Sequence, residues 1–109
     1  MKTSSRKAKG RRLQNKVRDI ILEEYPELQE GDVKVAIMGE SGVDIHLSPF
    51  AQEKIPFAIE CKNTERLNIW KALRQAEENA GDAIPLVIFK RNHSDIYATL
   101  KLEDLINLL

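Results

Sequence analysis

Between Phe57 and Phe89 the chain reads strand, helix, strand, and that order constrains its architecture more than any other feature. Phe57 to Lys62 has the composition of a strand. Asn68 to Ala80 follows a helical pattern, with Ile69, Leu73, Ala76 and Ala80 on its apolar face, and Gly81 stands where a left-handed residue commonly closes a helix. Pro85 to Lys90 is a continuous apolar run and reads as the second strand. Two strands joined through a helix pair in parallel.

Other signals place this unit in a larger sheet. Leu13, Val17, Ile20 and Ile21 recur at helical spacing within Arg11 to Tyr25, and Pro26 ends that helix. Val33 to Met38 is a β-branched run, followed by the turn Gly39-Glu40-Ser41-Gly42. From Val43 to Leu47, apolar Val43, Ile45 and Leu47 alternate with Asp44 and His46, so the two polar side chains share one face of a strand. Ser48 to Pro56, with two prolines, reads as a polar loop, and the strands on either side of it are expected to pair antiparallel. Ile96 to Leu100 and Leu102 to Leu109 give a last strand and a small terminal helix. The expected fold is α/β (α+β), a central mixed β-sheet flanked by helices. With 109 residues, 42% of them hydrophobic, the chain supports one core and one domain.

Net charge is zero, but residues 1 to 18 hold eight of the seventeen cations and no acid. The remaining residues carry nine cations against seventeen acids, a formal charge of −8. Residues 1–9 are therefore expected to form a flexible basic arm, with the domain occupying 10–109. Lys7, Lys9, Arg11, Arg12 and Lys16 would bind the phosphates of a nucleic acid, DNA in the first place. No apolar stretch approaches the ~20 residues that span a bilayer, so no membrane partner is expected. The lone Cys61 excludes an intrachain disulfide and fits a reducing, cytoplasmic setting.

The chemistry centres on Glu60 and Lys62, two apart on a strand and therefore on one face, ~7 Å apart. Cys61 between them points into the core. If the preceding strand pairs in register, Asp44 approaches Glu60, placing two carboxylates and an ammonium together. Asp44, Glu60 and the Cys61 backbone carbonyl would offer the all-oxygen environment that Mg²⁺, or Mn²⁺ as a substitute, accepts. Lys62 would orient a nucleophilic water or stabilise charge on phosphate.

Gly42-Val43-Asp44, then Ile59-Glu60-Cys61-Lys62, then a helix bearing Gln75, resembles the PD-(D/E)XK nuclease superfamily, and the resemblance extends over roughly residues 9 to 100. It implies a restriction-endonuclease-like core and a metal-dependent DNA endonuclease, with Asp44, Glu60, Lys62 and Gln75 as the catalytic set. Lys9-Gly10-Arg11-Arg12-Leu13-Gln14 is similar to the first helix of archaeal-type Holliday-junction resolvases and small phage nucleases, which implies selection of junctions or flaps by shape and makes a phage gene acting in host cytoplasm a natural source. Those relatives usually carry a metal-binding Glu where this chain has Gln14. Glu40, or else Glu24, would compensate, and Glu40 is preferred because its turn leads into Asp44. The competing expectation is a nuclease fold that has lost catalysis through Gln14 and only binds nucleic acid.

The remaining residues are read more plainly. Lys71 and Gln75 belong to a polar stripe expected to face the site and hold phosphate. Arg66, Arg74, Lys90 and Arg91 are further phosphate candidates, Ser41 and His46 are turn and sheet-face residues, and His93 is solvated. Trp70 beside Ile69 is expected in the core. A homodimer is expected, because cutting two strands needs two sites and the leucines of the last helix offer an apolar face.

Overall fold

A computed structural model describes residues 3–37 and 39–109. Five strands form one sheet in the order β1-β2-β3-β4-β5: β1 Val33–Val35, β2 Ile45–Leu47, β3 Phe57–Asn63, β4 Ile84–Lys90 and β5 Tyr97–Thr99. Neighbours pair antiparallel except β3 and β4, which run parallel from Phe57↔Ile84 to Asn63↔Lys90. The helices are α1 Thr3–Glu24, α2 Pro49–Lys54, α3 Ile69–Asn79 and α4 Leu102–Leu108. The chain is thus a compact α+β fold with a mixed sheet flanked by helices. No helix among the described residues is long and apolar enough to cross a membrane.

Strand parity divides the core. Ile59 and Cys61 of β3 and Leu86 of β4 join Leu13 and Val17 of α1 in the larger cluster, with Val33, Ile45, Ala51 and Ile55. Val87, the residue after Leu86 and so on the opposite face, meets Ala72 and Ala76 of α3, with Leu67, Ile69, Leu73 and Phe89 around them. Glu60 and Lys62 alternate with Cys61 and therefore lie on the α3 side of the sheet.

α3 forms where its local signals place it. Asn68 Oδ1 accepts the Lys71 amide at 3.1 Å as an N-cap, and Gly81, at φ +57°, stops the helix in the left-handed region. Trp70, expected in the core, is instead 74% exposed. Ile69, Ala72, Leu73 and Ala76 set the buried face, and Trp70 falls outside that arc.

Three other expectations are corrected. The described part of the basic arm is helical: α1 begins at Thr3 and runs through Gly10, although Met1 and Lys2 lie outside the described residues. Lys, Arg and Ala are good helix formers, and a helix nucleated by its buried half propagates at little cost. At its other end α1 stops at Glu24, because Tyr25 precedes Pro26 and is pushed out of helical conformation.

The segment after β2, expected to be a loop, contains α2. Ser48 caps it, its Oγ accepting the Ala51 amide at 3.1 Å, and Pro49 occupies the first turn, where a proline lacks nothing. The same Ser48 hydroxyl donates to Asp32 Oδ1 at 2.7 Å, tying α2 to the start of β1. Finally, β1 and β2 are shorter than the runs Val33–Met38 and Val43–Leu47; β1 ends at Val35, and Met38 lies outside the described residues.

Candidate active site

The register Ile45↔Ile59 places Asp44 opposite Glu60, meeting the condition on which their approach depended. Just beyond β2 the two chains part, and the side chain of Asp44 continues what the backbone leaves off. Its own amide donates to the Ile59 carbonyl at 2.9 Å, while its Oδ2 accepts the Cys61 amide at 2.7 Å. It is the Cys61 amide, therefore, that meets Asp44.

Glu60 is only 1% exposed. Its Oε1 accepts the Asn79 amide of α3 at 3.0 Å, and the same Asn79 nitrogen reaches the Gly42 carbonyl at 3.3 Å. Oε2 is buried without a partner. Burial pushes the Glu60 carboxyl up to about 7; the Asn79 hydrogen bond opposes the shift, the Asp44 charge adds to it, the Lys62 charge opposes it, and the nearby Asp44 carboxylate, which can only accept a proton held on Glu60, raises it further. The Cys61 thiol is driven upward as well, chiefly by burial and then by the same two carboxylates, so it stays protonated and inert.

Lys62 Nζ donates to Gln75 Oε1 at 2.9 Å. Four of the expected site residues, Asp44, Glu60, Lys62 and Gln75, are thus gathered where β2, β3 and α3 meet. Asn79 completes the group and escaped the sequence reading. Its spacing was a partial signal: Asn79 follows Gln75 by one helical turn, but Glu78 at i+3 fits that turn as well.

Other candidates lie apart. Glu40 is paired with His46 Nε2 at 2.5 Å, so the turn acid and the β2 histidine serve each other. Glu40 nevertheless borders a depression of about 170 Å³ that also touches Asp44, Gln14, Lys7 and Arg11. Gln14 and Asp44 thus border one depression, whereas Glu24 stands ten residues further along α1, about 15 Å away. Lys71 is exposed, and its side chain makes no hydrogen bond or ion pair with the group among the described residues. Among the described residues, no three His, Cys, Asp or Glu side chains are arranged to hold a metal ion.

The cations of α1 spread around the end of the sheet. Arg6 and Lys9 border a depression of about 620 Å³ that reaches Lys62, Asn63 and Arg66. Lys9, Arg12 and Lys16 border a larger one, of about 790 Å³, against Lys90 and the turn that follows it. Asn63 stands between the two, donating to the Lys9 carbonyl at 3.2 Å.

No protein-family model matches the chain, and neither curated proteins nor solved structures give a significant match.

Proposed function

We propose that the chain is a metal-dependent endonuclease that hydrolyses DNA phosphodiesters, built on a restriction-endonuclease-like core and acting as a homodimer. The observation that carries this reading is Glu60: a buried carboxylate with one unpaired oxygen, faced by Asp44 from the next strand. A lone buried carboxylate weakens a fold, and such groups concentrate where chemistry needs them.

Asp44 and Glu60 fit a hard divalent cation such as Mg²⁺, or Mn²⁺ in its place, because both are oxygen donors and these ions keep several waters when one or two carboxylates hold them. When bound, such an ion supplies polarisation of the phosphodiester and acidification of a water. Lys62, positioned by Gln75, adds a fixed positive charge for the phosphate oxygens. Asn79 and the Cys61 amide hold the two carboxylates in place. Lys7, Lys9, Arg11, Arg12 and Lys16 of α1, with Lys71 of α3, attract the backbone to this end of the sheet.

One observation favours a second reading, a module that binds nucleic acid without cutting it. Gln14 borders the Asp44 depression where a third acid would complete a ligand set, and Glu40 is occupied by His46. Incubating the protein with labelled junction, flap and linear duplex DNA in Mg²⁺, Mn²⁺ or EDTA decides between them. Metal-dependent cleavage that disappears in Asp44→Asn, Glu60→Gln and Lys62→Ala is the expected result; binding without cleavage in either metal would leave the second reading.

A further inference from the structure

We infer that the groove between α1 and the β4–β5 turn is a binding track for the backbone of duplex DNA, separate from the acidic site and leading to it. Lys9, Arg12 and Lys16 lie at i, i+3 and i+7 on one face of α1, and Lys90 faces them across the groove. None of the four side chains has an ion-pair partner among the described residues. Like charges one turn apart repel, and here Asp95 is the one carboxylate lining the groove. A polyanion relieves that repulsion and releases its own counterions.

The far wall is built rather than loose. Ser94 Oγ accepts the Arg91 amide at 3.0 Å, the Asn92 amide donates to Glu65 Oε1 at 3.3 Å, and His93 is held at φ +63°. Histidine is among the non-glycine residues that enter the left-handed region most readily, so His93 closes this turn without disturbing its hydrogen bonds. Lys9 and Asn63 line both this groove and the depression that contains Lys62, so a backbone seated between Lys16 and Lys90 continues past Lys9 toward the acidic site.

Duplex is favoured over single-stranded nucleic acid because no Phe, Tyr or Trp lines the groove. A single strand gains much of its affinity from stacking bases on such rings, whereas a duplex presents phosphates with its bases already stacked. The choice of DNA rests on the nuclease reading above; the track itself does not depend on cleavage.

The test is fluorescence anisotropy with a labelled duplex DNA in EDTA, across a salt series, with single-stranded DNA and duplex RNA as parallel arms. Lys16→Gln with Lys90→Gln should weaken duplex binding by roughly ten- to thirtyfold at 0.15 M salt and flatten the salt slope by about 1.8, two phosphate contacts at about 0.9 each. Lys34→Gln with Lys54→Gln, the same charge change outside the groove, should leave the slope unaltered. Circular dichroism confirms that both pairs fold. An unchanged slope in the groove pair, an equal loss in the control pair, or preference for single strands or duplex RNA would overturn the assignment. Loss of binding in the groove pair in EDTA, with no cleavage by the wild type when Mg²⁺ or Mn²⁺ is supplied instead, supports the track and sinks the nuclease reading; wild-type cleavage in either metal with an unaffected groove pair does the reverse.

Discussion

Asn79 holds Glu60: its side-chain amide donates to Oε1 at 3.0 Å and reaches the Gly42 carbonyl at 3.3 Å, so one residue near the end of α3 fixes both the buried carboxylate and the turn before Asp44. The other carboxylate oxygen has nothing to bond. A buried carboxylate held by one oxygen and left bare at the other costs the fold stability whenever it is ionised.

That cost depends on pH. In the unfolded chain Glu60 ionises near 4.5, but in the folded chain only near 7, so between those values the folded state retains a proton that the unfolded state has lost. Stability contributed by this group is therefore complete below about 4.5, declines as pH rises toward 7, and stays low above it. Glu60→Gln, which removes the buried charge, should stabilise the protein at pH 8 by on the order of 2 kcal/mol and have little effect near pH 4.5. Urea unfolding in EDTA at the two pH values checks this; equal effects at both would contradict it.

Asn79→Ala should move the same carboxyl further upward, because the lost hydrogen bond favours the ionised form. A ¹³C-detected titration of Glu60 reads the shift directly. The variant should also lose about 1–3 kcal/mol of stability, more above pH 7 than below it, since a bond to a charged group is the stronger one. Asn79→Asp would bring a third carboxylate to Glu60 and should be worse at neutral pH.

These relationships show what the sequence could reveal and what it could not. β3, α3 and β4 were legible because each carries its own marks: strand parity around Cys61, the Asn68 cap, Gly81. The same parity put Glu60 and Lys62 on one face, whereas the approach of Asp44 depended on the register of β2 against β3. Asn79 was missed because only the rotation of α3 on the sheet decides that it, and not Glu78, turns inward. The Glu40–His46 pair depends on the path of a glycine turn, which periodicity does not encode. The start of α1 has no apolar stripe to register, and α2 was masked by its prolines although Ser48-Pro49 is itself a helix-start signal.

Ser48 offers a test of that overlooked helix. Its hydroxyl both caps α2 and donates to Asp32, whose carboxyl is held below its usual range by the Gln29 amide first and this hydroxyl second. Ser48→Ala removes cap and donor together and should cost about 1–2 kcal/mol in chemical denaturation, a loss of the size seen for N-caps. Ser48→Asp would restore the cap but set a second carboxylate against Asp32, and should recover little of it.

Gly10 tests the helical arm. It lies inside α1, and a methyl group built on it meets nothing within 4 Å. Gly10→Ala should therefore raise stability by about 0.5–1 kcal/mol and increase helical ellipticity. Were residues 3–9 unfolded in solution, the substitution would gain almost nothing.

The last prediction concerns α4. Leu102, Leu105, Ile106, Leu108 and Leu109 are all exposed, and α4 packs only lightly on the rest of the chain, with Lys101 beside it reaching Glu77 at 3.7 Å. Four large apolar side chains on one short helix, with Leu109 at its C-cap, form a patch of the kind that monomers seldom leave in water. A second copy of the chain, related by a two-fold axis, would cover it and would pair two acidic sites for cutting two strands. Light scattering at micromolar concentration without DNA should give a mass near twice 12.4 kDa. Leu105→Glu with Ile106→Glu should halve that mass and leave the sheet intact, because neither side chain contributes to either core cluster. A wild-type mass near 12.4 kDa would discard the preformed dimer and, under the proposed nuclease function, would confine each protein molecule to one strand per encounter.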